Sequence, residues 1–224
     1  LESKLDEAEF FARKGIDQEP ESVDCIFNLG VVLQELKRPR EAEILFRKVI
    51  KLKPDFAFAY VNLGATLRDI GQLEQAELFL RQALDLDIKS AKIHTDLGVL
   101  LYERGDFQES EFHLRKSIEL KPDFALGYLN LGGLLRYTAQ FTEAEIVLNK
   151  AIELNPDFSD AYINLGIILK DTNQLDQAEF YIRKAISLQS TNAQYRLNLS
   201  QLLLKCKKFE EAWKENEWRW NTKV

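Results

Sequence analysis

Six polar side chains recur along the chain at one fixed distance of 34 residues. They are Asn28, Asn62, Asp96, Asn130, Asn164 and Asn198. An asparagine side chain offers one acceptor and two donors, so it is able to pair with both the N–H and the C=O of an extended peptide. Asp96 departs from the pattern because a carboxylate only accepts. A column of such amides would hold a peptide by its backbone, with little regard for the peptide's sequence.

A glycine follows two residues after each of the first five polar positions, and a serine follows the sixth. A glycine inside a helix costs about 0.5–1 kcal/mol relative to alanine. Five such glycines at a strict period therefore require an offsetting gain in stability. We interpret them as structural glycines, at which a partner helix comes too close for any side chain. They are Gly30, Gly64, Gly98, Gly132 and Gly166.

One period of the sequence contains two helical patterns. Tyr60, Leu63 and Leu67 lie three and four residues apart, which is typical of one face of a helix. Gly71 interrupts this pattern, and a second amphipathic stretch covers about 74–86. Three of the periods then turn at a Pro-Asp-Phe sequence, and proline prevents the preceding helix from continuing. Each period is therefore predicted to be a helix, a short turn, a second helix and another turn.

The pattern of apolar and small residues resembles the tetratricopeptide repeat. One period contains the complete pattern: Tyr128, Leu131, Gly132, Leu135, Ala144, Leu148, Ala151 and Pro156. The resemblance implies an all-α fold, a right-handed α-solenoid superhelix of stacked repeats. The predicted repeats are 23–56, 57–90, 91–124, 125–158 and 159–192, preceded by a truncated repeat in 1–22 (second helix only) and followed by an atypical terminal repeat or capping helix in 193–224.

The resemblance also implies that the asparagine-bearing face of each first helix lines a concave groove. The column is similar to the asparagine ladder in the repeat region of the O-linked N-acetylglucosamine transferase family. Two further rows join the predicted peptide-binding groove: Glu35, Asp69, Glu103, Tyr137 and Asp171, with Arg68 and Arg136 beside them. A ligand recognised by these rows should carry basic or mixed charge. The alternative is that the asparagines bond to a neighbouring repeat or are only solvated.

Composition and motifs argue against several classes of function. The net charge of −6 and the pI of about 5.2 disfavour nucleic acid and anionic membranes as partners. No apolar run approaches the ~18–20 residues that span a bilayer. His94 occupies an aromatic packing position, and no metal site, cofactor or catalytic residue is predicted. The chain is therefore not expected to be an enzyme. Cys25 and Cys206 are expected to be reduced, and cytoplasm is the default location.

The stretch Phe209–Trp220 contains all three tryptophans, Trp213, Trp218 and Trp220. We expect a capping helix that covers the last open apolar face. Similar tails precede glycosyltransferase-like domains in bacterial proteins, and the chain begins in mid-pattern, as a piece of a longer protein would. The predicted function is a scaffold that binds an extended peptide or protein segment. The alternatives are the substrate-recognition arm of a larger transferase, with its catalytic domain after residue 224, and a weak homo-oligomer that associates through its terminal repeats.

Overall fold

A computed structural model describes the backbone of residues 2–221 and the side chains of residues 4–218. Within that part the chain contains 13 α-helices and no strand, which confirms the all-α prediction. The chain divides into two compact units, Leu1–Leu120 and Lys121–Val224.

The first unit is a stack of helices in which each helix packs against the next. Its helices are α1 (Glu2–Gln18), α2 (Val23–Glu35), α3 (Pro39–Leu52), α4 (Ala57–Asp69), α5 (Leu73–Leu86), α6 (Ala91–Arg104) and α7 (Phe107–Leu120). The pairs α2–α3, α4–α5 and α6–α7 repeat one arrangement, in which the first helix of one pair also touches the first helix of the next. One apolar cluster extends from α2 to α6 and includes Leu29, Phe46, Leu63, Leu80 and Leu97.

The second unit continues the same alternation of helices. It contains α8 (Ala125–Tyr137), α9 (Phe141–Leu154), α10 (Ser159–Asp171), α11 (Leu175–Leu188), α12 (Ala193–Lys205) and α13 (Phe209–Asn221). The small residues Ala144, Ala151, Ala178 and Ala185 on the second helices are completely buried, which lets the paired helices approach closely.

The turn inside each pair has the same backbone conformation at all six places. One residue in each turn takes a left-handed φ between 58° and 90°: Lys37, Gly71, Gly105, Ala139, Asn173 and Lys207. In the turn after α8, the Ala139 N–H donates to the Arg136 carbonyl at 3.1 Å and the Gln140 N–H donates to the Leu135 carbonyl at 2.8 Å. This pair of bonds is the Schellman motif, which satisfies carbonyls that the end of a helix leaves unpaired.

Ala139→Gly is expected to stabilise the protein by about 0.5–1 kcal/mol, because an alanine pays a steric cost at left-handed φ that a glycine does not. Asn173→Gly is the matched control in the next turn of the same unit. Asparagine tolerates this conformation, so its replacement should leave the unfolding free energy within about 0.5 kcal/mol. Urea titrations followed by circular dichroism give both values. An equal gain in both variants would contradict this explanation.

The face of the second helices that is turned away from the first helices is more apolar than its many glutamates suggest. Arg47 pairs with Glu43 at 2.9 Å, and Arg81 pairs with both Glu77 and Glu109. Among these ion pairs, a large apolar side chain that is 55–67% exposed recurs every 34 residues from α1 to α11. These residues are Phe10, Ile44, Leu78 and Phe112 in the first unit, and Ile146 and Phe180 in the second. We call this face the outer face.

Candidate functional site

The glycines determine which face of each first helix is free. A Cβ atom built on Gly64 would lie 2.7 Å from Leu80 Cγ, and one on Gly98 would lie 2.7 Å from Leu114 Cγ. The glycine face of a first helix therefore lies directly against its own second helix. The asparagine position precedes the glycine by two residues and is about 200° away around the helix. We call the face that carries this position the amide face.

Three asparagine amides are oriented by their own helix. Asn62 Nδ2 donates to the Phe58 carbonyl at 2.8 Å, and Asn130 Nδ2 donates to the Leu126 carbonyl at 2.9 Å. Asn198 makes the same bond to the carbonyl four residues before it, at 3.0 Å. Each bond uses one of the two N–H groups of the amide. On Asn62 and Asn130, the side-chain oxygen and the second N–H remain to pair with a ligand.

Accessibility varies along the amide face. Asn28 is exposed, whereas Asn62, Asn130 and Asn164 are half-buried. Asn198 is only 8% exposed. The last position of the predicted column is therefore the least accessible to a ligand.

Two side-chain interactions organise the amide face of the first unit. Lys92 pairs with Asp96 at 2.8 Å, so the one carboxylate of the column is partly neutralised by its own helix. Gln34 Nε2 donates to Thr66 Oγ1 at 2.7 Å and to the Asn62 carbonyl at 3.2 Å, which ties α2 to α4. Gln34 lies on α2 one position before Glu35, and no repeated pattern in the sequence indicates its role.

The acidic row of the first unit is accessible. Glu35, Asp69 and Glu103 are all exposed. The guanidinium of Arg68 comes only within 3.7 Å of Asp69 and 3.9 Å of Glu103. Exposed ion pairs of this length contribute little to stability. The row is therefore available to a charged partner.

The equivalent row of the second unit is less acidic. It contains Tyr137 and Asp171, which are both exposed. Arg136 is half-buried, and its Nε has no hydrogen-bond partner among the described residues. The Tyr195 hydroxyl donates to the Asp160 carboxylate and ties α12 to α10. Burial and this hydrogen bond raise the pKa of Tyr195 to about 12. Tyr195 is thus a neutral donor that fixes Asp160 at the edge of the amide face.

The tryptophans of the predicted capping helix differ in exposure. Trp213 is 61% exposed, while the neighbouring Ala212 is the buried contact of α13. Most of the Trp213 side chain is therefore accessible to solvent. Trp218 is half-buried, with the Arg196 guanidinium 4.3 Å above its ring. The side chain of Trp220 lies outside the described residues.

Two histidines form a buried pair between α6 and α7. His94 and His113 are 4% and 5% exposed, and their Nδ1 atoms lie 2.9 Å apart. His94 Nε2 lies 3.3 Å from the Ile88 carbonyl, so it carries the proton and leaves its Nδ1 as the acceptor for the His113 Nδ1–H. Burial lowers the pKa of His94, and burial together with the neighbouring His94 lowers the pKa of His113 to about 4.

Other kinds of site find no support in the described part of the chain. No group of three or more His, Cys, Asp and Glu side chains there is placed to hold a metal ion. Cys25 and Cys206 are both free. The same residues include no helix that is long and apolar enough to cross a bilayer.

The chain belongs to the tetratricopeptide repeat family. One family profile, described as Tetratricopeptide repeat, matches residues 23–56, 91–124 and 125–158, and a second profile with the same description matches 45–77 and 147–180. Members of this family generally serve as non-catalytic scaffolds, which supports the general prediction of a protein-interaction scaffold. No curated protein sequence matches the chain.

Solved structures show the same fold. The crystal structure of the APC/C hetero-tetramer Cut9–Hcn1 contains a chain that is 17% identical, with a TM-score of 0.87 over 94% of this chain and 42% of that one. Pseudomonas aeruginosa PilF is 20% identical, with a TM-score of 0.77 over 88% and 89% of the two chains. YrrB, described as a tetratricopeptide repeat protein with an unusual peptide-binding site, is 20% identical, with a TM-score of 0.60 over 88% and 97%. The chain thus spans less than half of the Cut9–Hcn1 chain but most of the other two.

Proposed function

We propose that the chain binds extended peptide segments along the amide faces of the first helices within each of its two units. The observation that carries this proposal is the internal bond of Asn62 and Asn130, each donating to a carbonyl of its own helix. This bond fixes the orientation of the amide before any ligand arrives. The remaining oxygen accepts a peptide N–H, and the remaining N–H donates to a peptide C=O.

The positions of the column contribute unequally. Asn28, Asn62, Asn130 and Asn164 are accessible and carry most of the backbone contact. Asp96 only accepts and is already paired with Lys92, and Asn198 is buried. A peptide hydrogen bond contributes about 0.5–1.5 kcal/mol net, and ordering the peptide offsets much of that sum. We therefore expect micromolar affinity or weaker for one segment.

The likeness to YrrB is consistent with a peptide as ligand, since a peptide-binding site is described for that protein. The family supports only the broader role of a protein-interaction scaffold. The asparagine contacts are our proposal for how this chain performs that role.

The test uses an immobilised library of short unstructured peptides as the probe. The best-binding peptide is then compared with a copy that is N-methylated at alternate backbone nitrogens, which removes donors without changing side chains. We expect N-methylation to weaken binding about tenfold, because two or so hydrogen bonds are lost. Asn62→Ala should weaken binding of the unmodified peptide at the first unit to a similar degree, and the double variant Asn130→Ala, Asn164→Ala should do so at the second unit.

The matched control is Asn149→Ala, which removes an exposed asparagine from the second helix α9. It should bind the peptide like the unmodified protein. All variants are first compared by circular dichroism. Binding that survives both the amide-face substitutions and N-methylation would overturn the proposal and make the asparagine column structural.

A further inference from the structure

A row of aromatic rings leads from the core of the first unit to its amide face. The Phe46 ring is completely buried and lies 5.7 Å from the Phe27 ring. Phe27 lies 5.1 Å from Phe56, and Phe56 lies 5.9 Å from Phe58. Phe58 at the end of the row is 63% exposed. Its ring is therefore exposed to solvent but supported from behind by a ring that belongs to the packed interior.

Single exposed apolar side chains are common, so the exposure of Phe58 does not by itself indicate a binding site. Its position on the amide face does. Phe58 precedes Asn62 by one helical turn, on the same face of α4. Its own carbonyl accepts the amide of Asn62 at 2.8 Å. A peptide whose backbone pairs with Asn62 therefore passes beside the Phe58 ring. Because the Phe58 ring already packs on Phe56, it loses little additional conformational entropy when a ligand side chain packs on it.

The other side of Asn62 is acidic. Asp69 follows Asn62 by seven residues, about 10 Å further along the same face of α4. Glu35 and Glu103 occupy the equivalent positions on α2 and α6. Glu35 has no ion-pair partner among the described residues, and Arg68 approaches the other two carboxylates only at 3.7 and 3.9 Å. This side of the amide face is therefore incompletely neutralised.

An extended peptide points successive side chains to opposite sides of its backbone. With the backbone on Asn62, one side chain is directed toward Phe58 and the next toward the carboxylates of Asp69 and its neighbours. We propose that the first unit selects a segment in which a large apolar residue stands next to a lysine or arginine. The apolar side chain packs on Phe58, and the cation lies among Glu35, Asp69 and Glu103. This inference rests on the proposed function, because the amide of Asn62 aligns the backbone between the two sides.

The test uses three fluorescent peptides that share a threonine- and serine-rich host sequence. Their central pairs are phenylalanine–lysine, serine–lysine and phenylalanine–glutamate. The full chain is expected to bind the first peptide about tenfold more tightly than either of the others, as judged by fluorescence anisotropy. Phe58→Ser should bring the first two peptides within about twofold of each other. Asp69→Asn should reduce the preference for lysine over glutamate.

Phe112→Ser is the matched control, because Phe112 is 61% exposed but lies on the outer face. This variant should keep the full preference for the phenylalanine–lysine peptide. That result would separate the loss of a contact at Phe58 from a general loss of exposed apolar surface. Asn62→Ala tests the underlying function and should weaken all three peptides to a similar extent. If Asn62→Ala weakens them while Phe58→Ser leaves the preference intact, the selectivity is overturned and backbone binding stands. If Asn62→Ala has no effect, backbone binding itself is overturned.

Discussion

Replacing Gly132 by alanine is expected to lower the free energy of unfolding by up to about 2 kcal/mol, although alanine is the better helix former. A Cβ atom at this position would lie 2.5 Å from both Cγ and Cδ2 of Leu148, and 3.3 Å from Val147 Cγ2. Leu148 is completely buried, so it has little room to move away. Overpacking of this kind costs about 1–3 kcal/mol, from which the better helix propensity subtracts up to about 1 kcal/mol.

The adjacent glycine supplies the control for this prediction. A Cβ atom on Gly133 would meet only Asn164 Nδ2, at 4.0 Å, so Gly133→Ala gains helix propensity without a clash. It should stabilise the protein by about 0.5–1 kcal/mol. Each variant therefore adds one methyl group to the same helix. The two variants are expected to change the free energy of unfolding in opposite directions. Urea unfolding followed by circular dichroism measures both, and a loss of stability in Gly133→Ala would contradict the packing explanation.

Acidification is expected to destabilise the chain before its carboxylates titrate, because of the buried histidine pair. An ordinary histidine has a pKa of 6.5, whereas burial and His94 lower the pKa of His113 to about 4. Between these values the unfolded chain binds more protons than the folded chain, so stability falls as the pH falls. Burial also lowers the pKa of His94, which adds to the effect. We expect a loss of about 2 kcal/mol between pH 7 and pH 5.

The measurement is the melting temperature as a function of pH, which should fall by about 4–8 °C over this range. The double variant His94→Tyr, His113→Phe copies the Tyr60–Phe79 pair at the equivalent positions one repeat earlier, where the Tyr60 hydroxyl donates to the Pro54 carbonyl. It should melt at nearly the same temperature at pH 7 and pH 5. An unchanged pH dependence in that variant would show that other groups are responsible.

The sequence predicts the helices and the amide face because both follow from periodic spacing. A glycine that recurs inside a helix indicates close packing, and the asparagine two residues before it must then point away from the packed face. The same reasoning extends to Phe58, which precedes Asn62 by four residues, but only the structure shows that its ring packs on Phe56, which in turn packs on Phe27.

Other features depend on tertiary contacts that spacing does not encode. Asn198 has the same position in its repeat as Asn62, yet it is buried. Trp213 is a large apolar residue in a terminal helix, yet it faces solvent. Where the left-handed residue of a turn is glycine, its residue type indicates the turn in the sequence. Lys37 and Ala139 adopt the same conformation, although their residue types do not indicate it. At those turns the hydrogen bonds of the main chain determine the conformation.

The turn bonds also bear on how such a chain evolves. Because they join only peptide groups, they are preserved whether the left-handed residue is Lys37, Gly71, Ala139 or Asn173. A duplicated gene segment that encodes one helix pair therefore inherits the geometry of the turn that joins its two helices. Later mutations on the exposed faces are free to diverge, since they leave that geometry in place. A lineage is thus able to exchange or re-order copies and acquire new ligands without having to redesign the fold.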